Sequence, residues 1–393
     1  MLRQADRAAR IAPFHVMALL GRAQALQAAG HDVIHLEVGE PDFPTPATVL
    51  AAGQQALADG LTRYTPATGL PALREAIAGY YRQRFATDVD PARIIVTPGA
   101  SGALQLALGL LVNPGDGVLL TDPGYPCNRH FVELVNGEPQ ILPLAEAGAL
   151  ADVRLSAEKI KRYWRDNTVV ALLASPDNPT GAVLHDEETG AIAEAVANAG
   201  GQLIVDEIYQ GLVYGQPVHT VLTAAPQALV LNSFSKYFGM TGWRLGWMVA
   251  PPEHVPALER MAQNFFIAPP TPSQHAALAA FSPETLAELD RRRDVLDARR
   301  QLLLAQLPAL GMRVVGQPEG AFYIYVDVSD ITDDSFAFCQ RLLEQEYVAL
   351  TPGADFGRDH GPGRCLRIAY TTDEARLVEA LARLRRFIER EAR

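Results

Sequence analysis

From about Arg93 to Pro252, short apolar runs alternate with stretches of helical periodicity. The runs are Ile94–Thr97, Val118–Thr121, Gln140–Pro143, Val169–Ala174, Leu203–Asp206, Leu229–Asn232 and Leu245–Ala250. Most are apolar at odd and even positions alike, the pattern of a strand covered on both faces. Helical stretches such as Ser101–Leu111 and Glu187–Ala199 lie between them. This alternation predicts an α/β fold with a mostly parallel seven-stranded sheet between helices. After about Pro283 the pattern changes. A charged helix at Glu284–Leu307 is followed by a strand at Ala321–Val328, a helix near Ser335–Glu346, a strand at Cys365–Tyr370 and an amphipathic helix at Asp373–Glu391. This predicts a second, smaller α+β domain. Ahead of everything stand a helix at Val16–Ala29 and an apolar segment at Val33–Val38. The expected division is an N-terminal segment 1–45, a large domain 46–283 and a small domain 284–393.

Composition narrows the function classes. The 393 residues are 48% hydrophobic, ample for a large core, and 20% charged, with no low-complexity linker. The net charge of −11 and the lack of a basic stripe argue against nucleic acid or an anionic membrane as partner. The most apolar run, Ala103–Val112, is shorter than the roughly 20 residues a bilayer span needs and is expected to be a buried helix. Cys127, Cys339 and Cys365 are odd in number and scattered. They predict neither a disulfide framework nor a metal site and fit a reducing cytoplasm. The first residues lack an apolar core, so no signal peptide is expected.

The candidate chemistry sits at strand ends. The densest segment runs from Asn232 to Trp247, NSFSKYFGMTGWRLGW. It places Lys236 just past a buried strand, at the edge where open α/β sheets bind ligands. A lysine condenses with an aldehyde only as the neutral amine, so it needs desolvation or a positive neighbour. Ser233, Ser235 and Arg244 bracket it and suit a phosphate dianion. The Gly-rich turn Thr97–Ala103 opens a helix, whose free N–H groups and dipole attract phosphate. Ser101 there either adds a hydroxyl or caps the helix. Asp206, ending an apolar strand, would be costly to bury unpaired; it either pairs with a protonated ring nitrogen or caps the next helix. Tyr209 lies three residues on. Asn178, in the turn SPDNPTG, could donate to an oxygen anion or only serve its turn. Tyr125, in DPGYP, could stack on a flat ligand or pack on the core.

Together, GEPDF from Gly39, Tyr64, GASGA, DPGYP, DNPTG, DEIY, SFSKYFGMTGWRLGW and LRIAY resemble the class I/II aminotransferases of fold type I, the aspartate aminotransferase-like group. The resemblance runs from Gly39 to Arg367. It implies pyridoxal 5′-phosphate as cofactor, with Lys236 holding it as a Schiff base and shuttling the proton. Asp206 is implied to pair with the pyridine nitrogen. Tyr209 and Asn178 would bond the phenolate oxygen, and Tyr125 would stack on the ring. Ser101, Gly102, Ala103, Ser233, Ser235 and Arg244 are implied to surround the phosphate. Tyr64 is implied to reach the neighbouring subunit's phosphate, which makes the partner a second copy of the chain. Arg367 is implied to bind the substrate α-carboxylate, beside the backbone near Gly39. Residues 1–45 are implied to join the small domain. Two departures stand out: Asp177, where many relatives carry a neutral residue, and Ala103, where some carry a hydroxyl. Both are expected to tune cofactor affinity.

The implied function is transfer of an amino group from an L-amino acid to a 2-oxoacid, in the cytoplasm and without a metal. No second arginine is evident for a side-chain carboxylate. Asn264-Phe265-Phe266 and Ile11–Met17 are candidates to line the distal pocket, which favours neutral aliphatic or aromatic donors. The alternative on the same scaffold is a β-lyase cleaving C–S bonds. A ligand-sensing module of a transcription regulator needs a helix-turn-helix ahead of the fold, and the motifs already begin at Gly39.

Overall fold

A computed structural model of the chain describes residues 4–11, 15–145, 153–357 and 362–391. Its larger sheet has seven strands: Ile94–Thr97 (β1), Gly117–Asp122 (β2), Glu138–Pro143 (β3), Thr168–Ala174 (β4), Gln202–Asp206 (β5), Leu229–Ser233 (β6) and Gly246–Val249 (β7). Their spatial order is β1-β7-β6-β5-β4-β2-β3. β7 runs antiparallel to both of its neighbours and the other pairings are parallel. Most of the strands were legible because their residues are buried on both faces, as β1, β6 and β7 are throughout; the edge strand β3 is only partly so. The helix Gly99–Leu111 lies across β6 and β7. Gly102, Ala103, Leu104, Leu106, Ala107 and Leu108 are buried in it, as the apolar run predicted. No helix among the described residues is long and apolar enough to cross a membrane.

Parallel pairing brings the C-terminal ends of β4, β5 and β6 to one edge. Ala174 lies opposite Asp206, and Asp206 lies opposite Leu231, two residues before Ser233. Strand-end residues far apart in sequence therefore meet in one crevice.

The second sheet is antiparallel: Arg313–Val314 (β8), Tyr323–Asp327 (β9), Thr351–Pro352 (β10) and Cys365–Ala369 (β11), in the order β10-β11-β9-β8. Arg367, on β11, pairs with Tyr325 on one side and Thr351 on the other. Helices Pro283–Gln306, Ser335–Glu346 and Glu374–Glu391 fall within a residue or so of expectation.

Of the apolar segment Val33–Val38, only Ile34–His35 forms strand, parallel to Val348–Ala349. Leu36 then bridges outward, its N–H donating to Ala349 O and its carbonyl accepting from Ala369 N–H. This stitch carries Glu37, Val38 and Gly39 alongside Arg367. The sequence pattern does not mark several of the helices, among them Ala47–Ala58, Pro71–Phe85, Cys127–Leu134 and Val255–Phe265. The first is alanine- and glutamine-rich, and the third follows directly on the DPGYP turn, so apolar periodicity marks neither strongly.

Candidate active site

A cavity of about 330 Å³ opens between the strand-end crevice and the second sheet. Lys236, Asp206, Tyr209, Asn178, Tyr125, Ser101, Ser233, Ser235, Arg244, Arg367 and Gly39 all line it. Eleven residues expected from sequence thus share one space.

Lys236 follows β6 across a bed of aromatic rings. Phe234 packs at 4.9 Å from Trp247 and 5.1 Å from Phe238, ring to ring, which fixes the turn that carries the lysine. Its Nζ donates to Gly39 O at 2.6 Å. Desolvation pushes the ammonium down to about 8, with Arg367 and Arg244 acting in the same direction and Glu40 and Asp206 opposing. The amine is therefore partly neutral at neutral pH, whereas an ordinary lysine is not.

Asp206 ends β5 with Oδ1 accepting from Ile208 N–H at 3.0 Å. No helix follows for it to cap: residues 208–211 form a turn, which Oδ1 holds, and the side chain also lines the cavity. Desolvation raises its carboxyl to about 6, opposed by that N–H and by Lys236. It remains mostly ionised at neutral pH and lacks a full counter-charge, as expected of a carboxylate that awaits a cationic partner.

Arg367 is the most constrained side chain of the site. Its guanidinium lies 4.1 Å from the Tyr323 ring centroid and 4.8 Å from that of Phe356. Nη1 donates to Asn178 Oδ1 at 3.0 Å and Nη2 to Glu37 O at 2.7 Å, while buried Nε has no partner. A stacked guanidinium with a spare donor suits a carboxylate. Because Asn178 Oδ1 accepts from Arg367, its amide NH₂ is left to donate elsewhere. Tyr209 Oη bonds Tyr323 Oη at 2.9 Å.

The anion end lies where the Gly99 turn meets Arg244. Gly99 has φ +69°, and a Cβ there would stand 2.7 Å from Arg244 Nη2; one on Gly246 would stand 2.7 Å from Gly99 C. Both glycines are therefore needed for guanidinium and turn to close in. Ser233 Oγ donates to Ser235 Oγ at 2.9 Å, so two hydroxyls stand together. Ser101 does not cap the helix. The helix begins at Gly99 after Pro98, with no side-chain cap. Ala100 and Ser101 face the cavity, whereas Gly102 and Ala103 are buried behind them. In a helix starting at Gly99, the N–H groups of residues 99–101 are the unpaired ones.

Other expected residues lie elsewhere. Tyr64 is 81% exposed and off the cavity. Asn264–Phe266 do not line it: Asn264 bonds Arg260 O, Phe265 is 54% exposed and Phe266 packs on the sheet core. Of Ile11–Met17, residues 12–14 fall outside the described part, and Val16 and Met17 reach the cavity, joined by Leu20. Asp177 turns into its own loop, accepting from Thr180 N–H at 3.1 Å and from Thr180 Oγ1. It holds the turn and does not line the cavity. Sequence reasoning missed Tyr323, Thr351, Phe356 and Glu37, all of which touch Arg367. Each sits in an ordinary buried strand or turn, with no local signal that it faces a site.

With this geometry in hand, comparison with known proteins fixes the family. The family model "Aminotransferase class I and II" matches residues 31–384. The chain is 38% identical to the valine–pyruvate aminotransferase of Mycobacterium tuberculosis over 96% of each chain. It is 36% identical to the aspartate/prephenate aminotransferase of Thermus thermophilus, over 96% of this chain and 97% of that one. A crystal structure of an aminotransferase from Mycobacterium tuberculosis superposes with a TM-score of 0.94 at 37% identity, covering 99% of this chain and all of that one. The fold is the aspartate aminotransferase-like fold type I that the motifs suggested. The chain belongs to the class I and II aminotransferases, enzymes that depend on pyridoxal phosphate to move an amino group.

Proposed function

We propose that the cavity holds pyridoxal 5′-phosphate attached to Lys236, and that the donors are neutral L-amino acids with aliphatic or aromatic side chains. One observation carries the reading: an amine lowered to about 8 shares a cavity with a carboxylate that has no full counter-charge and a guanidinium with a spare donor. These are complementary to an aldehyde, a ring nitrogen and an amino-acid carboxylate respectively. The anion end fits the phosphate through Arg244, Ser233, Ser235, Ser101 and the N–H groups of Ala100 and Ser101. Gly102 and Ala103, the next residues of the same helix start, complete the expected phosphate-binding set.

The cofactor, when bound, supplies an electron-accepting ring for the charge left at the substrate Cα. The chain's own groups do the rest. Lys236 Nζ, freed once the donor's amine has replaced it on the aldehyde carbon, would take the Cα proton and return it to that former aldehyde carbon, as base and then acid. Asp206, ionised at neutral pH, keeps the ring nitrogen protonated. Tyr209 Oη and the Asn178 amide donate to the phenolic oxygen, and Tyr125 covers the ring. Arg367, beside the Gly39 backbone, orients the α-carboxylate and with it the bond to be broken.

The donor class rests on the far wall. Val16, Met17, Leu20, Leu104 and Phe131 are apolar, and the cations among the described lining residues are Lys236, Arg244 and Arg367, all assigned. Among the described lining residues of this chain, no cation is left to read a side-chain carboxylate. A relative that transfers the amino group of valine to pyruvate supports this choice. The same proposal takes in a cytoplasmic homodimer in which exposed Tyr64 reaches the partner's phosphate, with divisions near residues 45 and 283. Mixing the holoenzyme with single amino acids, and following loss of the cofactor's absorption, tests it. Valine, leucine and phenylalanine should react faster than aspartate; the reverse order refutes the donor class.

Two further outcomes are expected. Because Lys236 is lowered to about 8, capture of added pyridoxal phosphate should accelerate as pH rises and level off above that value. Below it the ammonium predominates and cannot attack an aldehyde. A profile still climbing steeply at pH 10 would mean an unperturbed lysine. Arg367→Lys should raise KM for every donor by about 100-fold, because an ammonium cannot stack between two rings and grip a carboxylate in two places. A KM within threefold of wild type removes Arg367 from that role.

A further inference from the structure

The first N–H groups of a helix find no partner within it. In the helix His15–Ala28, those of His15 and Val16 donate to Asp355 Oδ1 at 3.0 Å and Oδ2 at 2.9 Å, from the far end of the sequence. Asp355 is 5% exposed, so water does not compete strongly for its carboxylate. A negative charge at this end also complements the helix dipole. The turns so anchored carry Val16, Met17 and Leu20, which line the cavity.

The segment around Asp355 touches the site in two more places. The Phe356 ring lies against Arg367, Thr351 Oγ1 accepts from Arg367 Nη2 at 3.4 Å, and Phe356 O accepts from Gly124 N–H at 2.8 Å, next to Tyr125. One short stretch thus sets the separation between the carboxylate-binding guanidinium, the ring-covering tyrosine and the apolar wall.

We propose that Asp355 is a positioning residue that seats the apolar wall of the donor side-chain pocket at a fixed distance from Arg367, and so determines selectivity for long apolar donors. This rests on the function proposed above. With the α-carboxylate at Arg367 and Cα at Lys236, the side chain extends towards Val16, Met17 and Leu20. A leucine side chain presses on that wall, whereas alanine's methyl does not reach it. Without the Asp355 carboxylate the first helical turn frays, and only the longer donors lose contact.

The test compares wild type, Asp355→Ala and Asp355→Asn, each loaded with cofactor, by half-reaction kinetics and by amide hydrogen exchange over residues 15–20. In Asp355→Ala, exchange at His15 and Val16 should quicken at least about tenfold. kcat/KM for leucine should fall about tenfold relative to alanine, carried by KM, because a methylene or two in an apolar pocket is worth that much. Asp355→Asn keeps an acceptor and should move both quantities less, in the same direction; it serves if the alanine variant folds poorly. Faster exchange with an unchanged leucine-to-alanine ratio overturns the selectivity role, and unchanged exchange overturns the seating itself. If wild type reacts with no amino acid, the functional reading fails, while the exchange data still decide whether Asp355 seats the helix.

Discussion

Lys236→Ala is expected to lower the half-reaction by about 10⁴-fold or more, since it removes both the proposed covalent anchor and the proposed proton carrier. Borohydride should no longer fix the cofactor to the chain. The fold should survive. The lysine's direct partner is Gly39 O, with the Tyr209 and Phe322 rings each 5.9 Å away, and the loss of one such hydrogen bond costs about 1 kcal/mol. Circular dichroism and a thermal melt separate a folded, inactive variant from an unfolded one. Turnover within tenfold of wild type, in a folded Lys236→Ala, would assign the chemistry to another group.

The second large effect is expected at Asp206. Asp206→Asn keeps an oxygen for the Ile208 N–H and nearly the same volume, so its melting temperature should stay close to wild type. The charge proposed to face the ring nitrogen is lost, and the rate should fall about 10³-fold, roughly three pKa units' worth of support for the protonated ring. The same variant has an independent signature. Asp206 is among the groups that hold the Lys236 ammonium up, so its neutralisation should move the midpoint of cofactor capture below about pH 8. A midpoint that rises instead contradicts the electrostatic picture, whatever happens to turnover.

Legibility followed locality. Lys236, Asp206, Asn178 and Tyr125 each stand in or beside a turn whose prolines, glycines or hydroxyls announce a strand end, and such ends share one edge of a parallel sheet. The Gly99 turn and Ser101 were recognised, but Ala100, which also faces the cavity, was not, because only the backbone shows at which residue the helix begins. Asp177 carried a charge that invited a role at the cofactor. Its carboxylate instead closes its own loop on Thr180, a choice made by side-chain rotation that spacing cannot express. Asn264–Phe266 followed an apolar-aromatic pattern that packing sends elsewhere.

By itself the sequence determined the architecture and the set of strand-end polar groups that share the cavity. Continuous apolar runs and period-3.6 burial are local properties, and a lysine or carboxylate after a buried strand is set by the chain around it. The surroundings of Arg367 belong to the tertiary structure alone. Two rings, a glutamate carbonyl and an asparagine amide arrive from four separate stretches of chain, brought together by the Leu36 stitch and the register of β11. The apolar wall is equally non-local, because a carboxylate near the end of the chain seats a helix near its beginning. Contacts of that span depend on how whole elements pack, and no local pattern of residues encodes them.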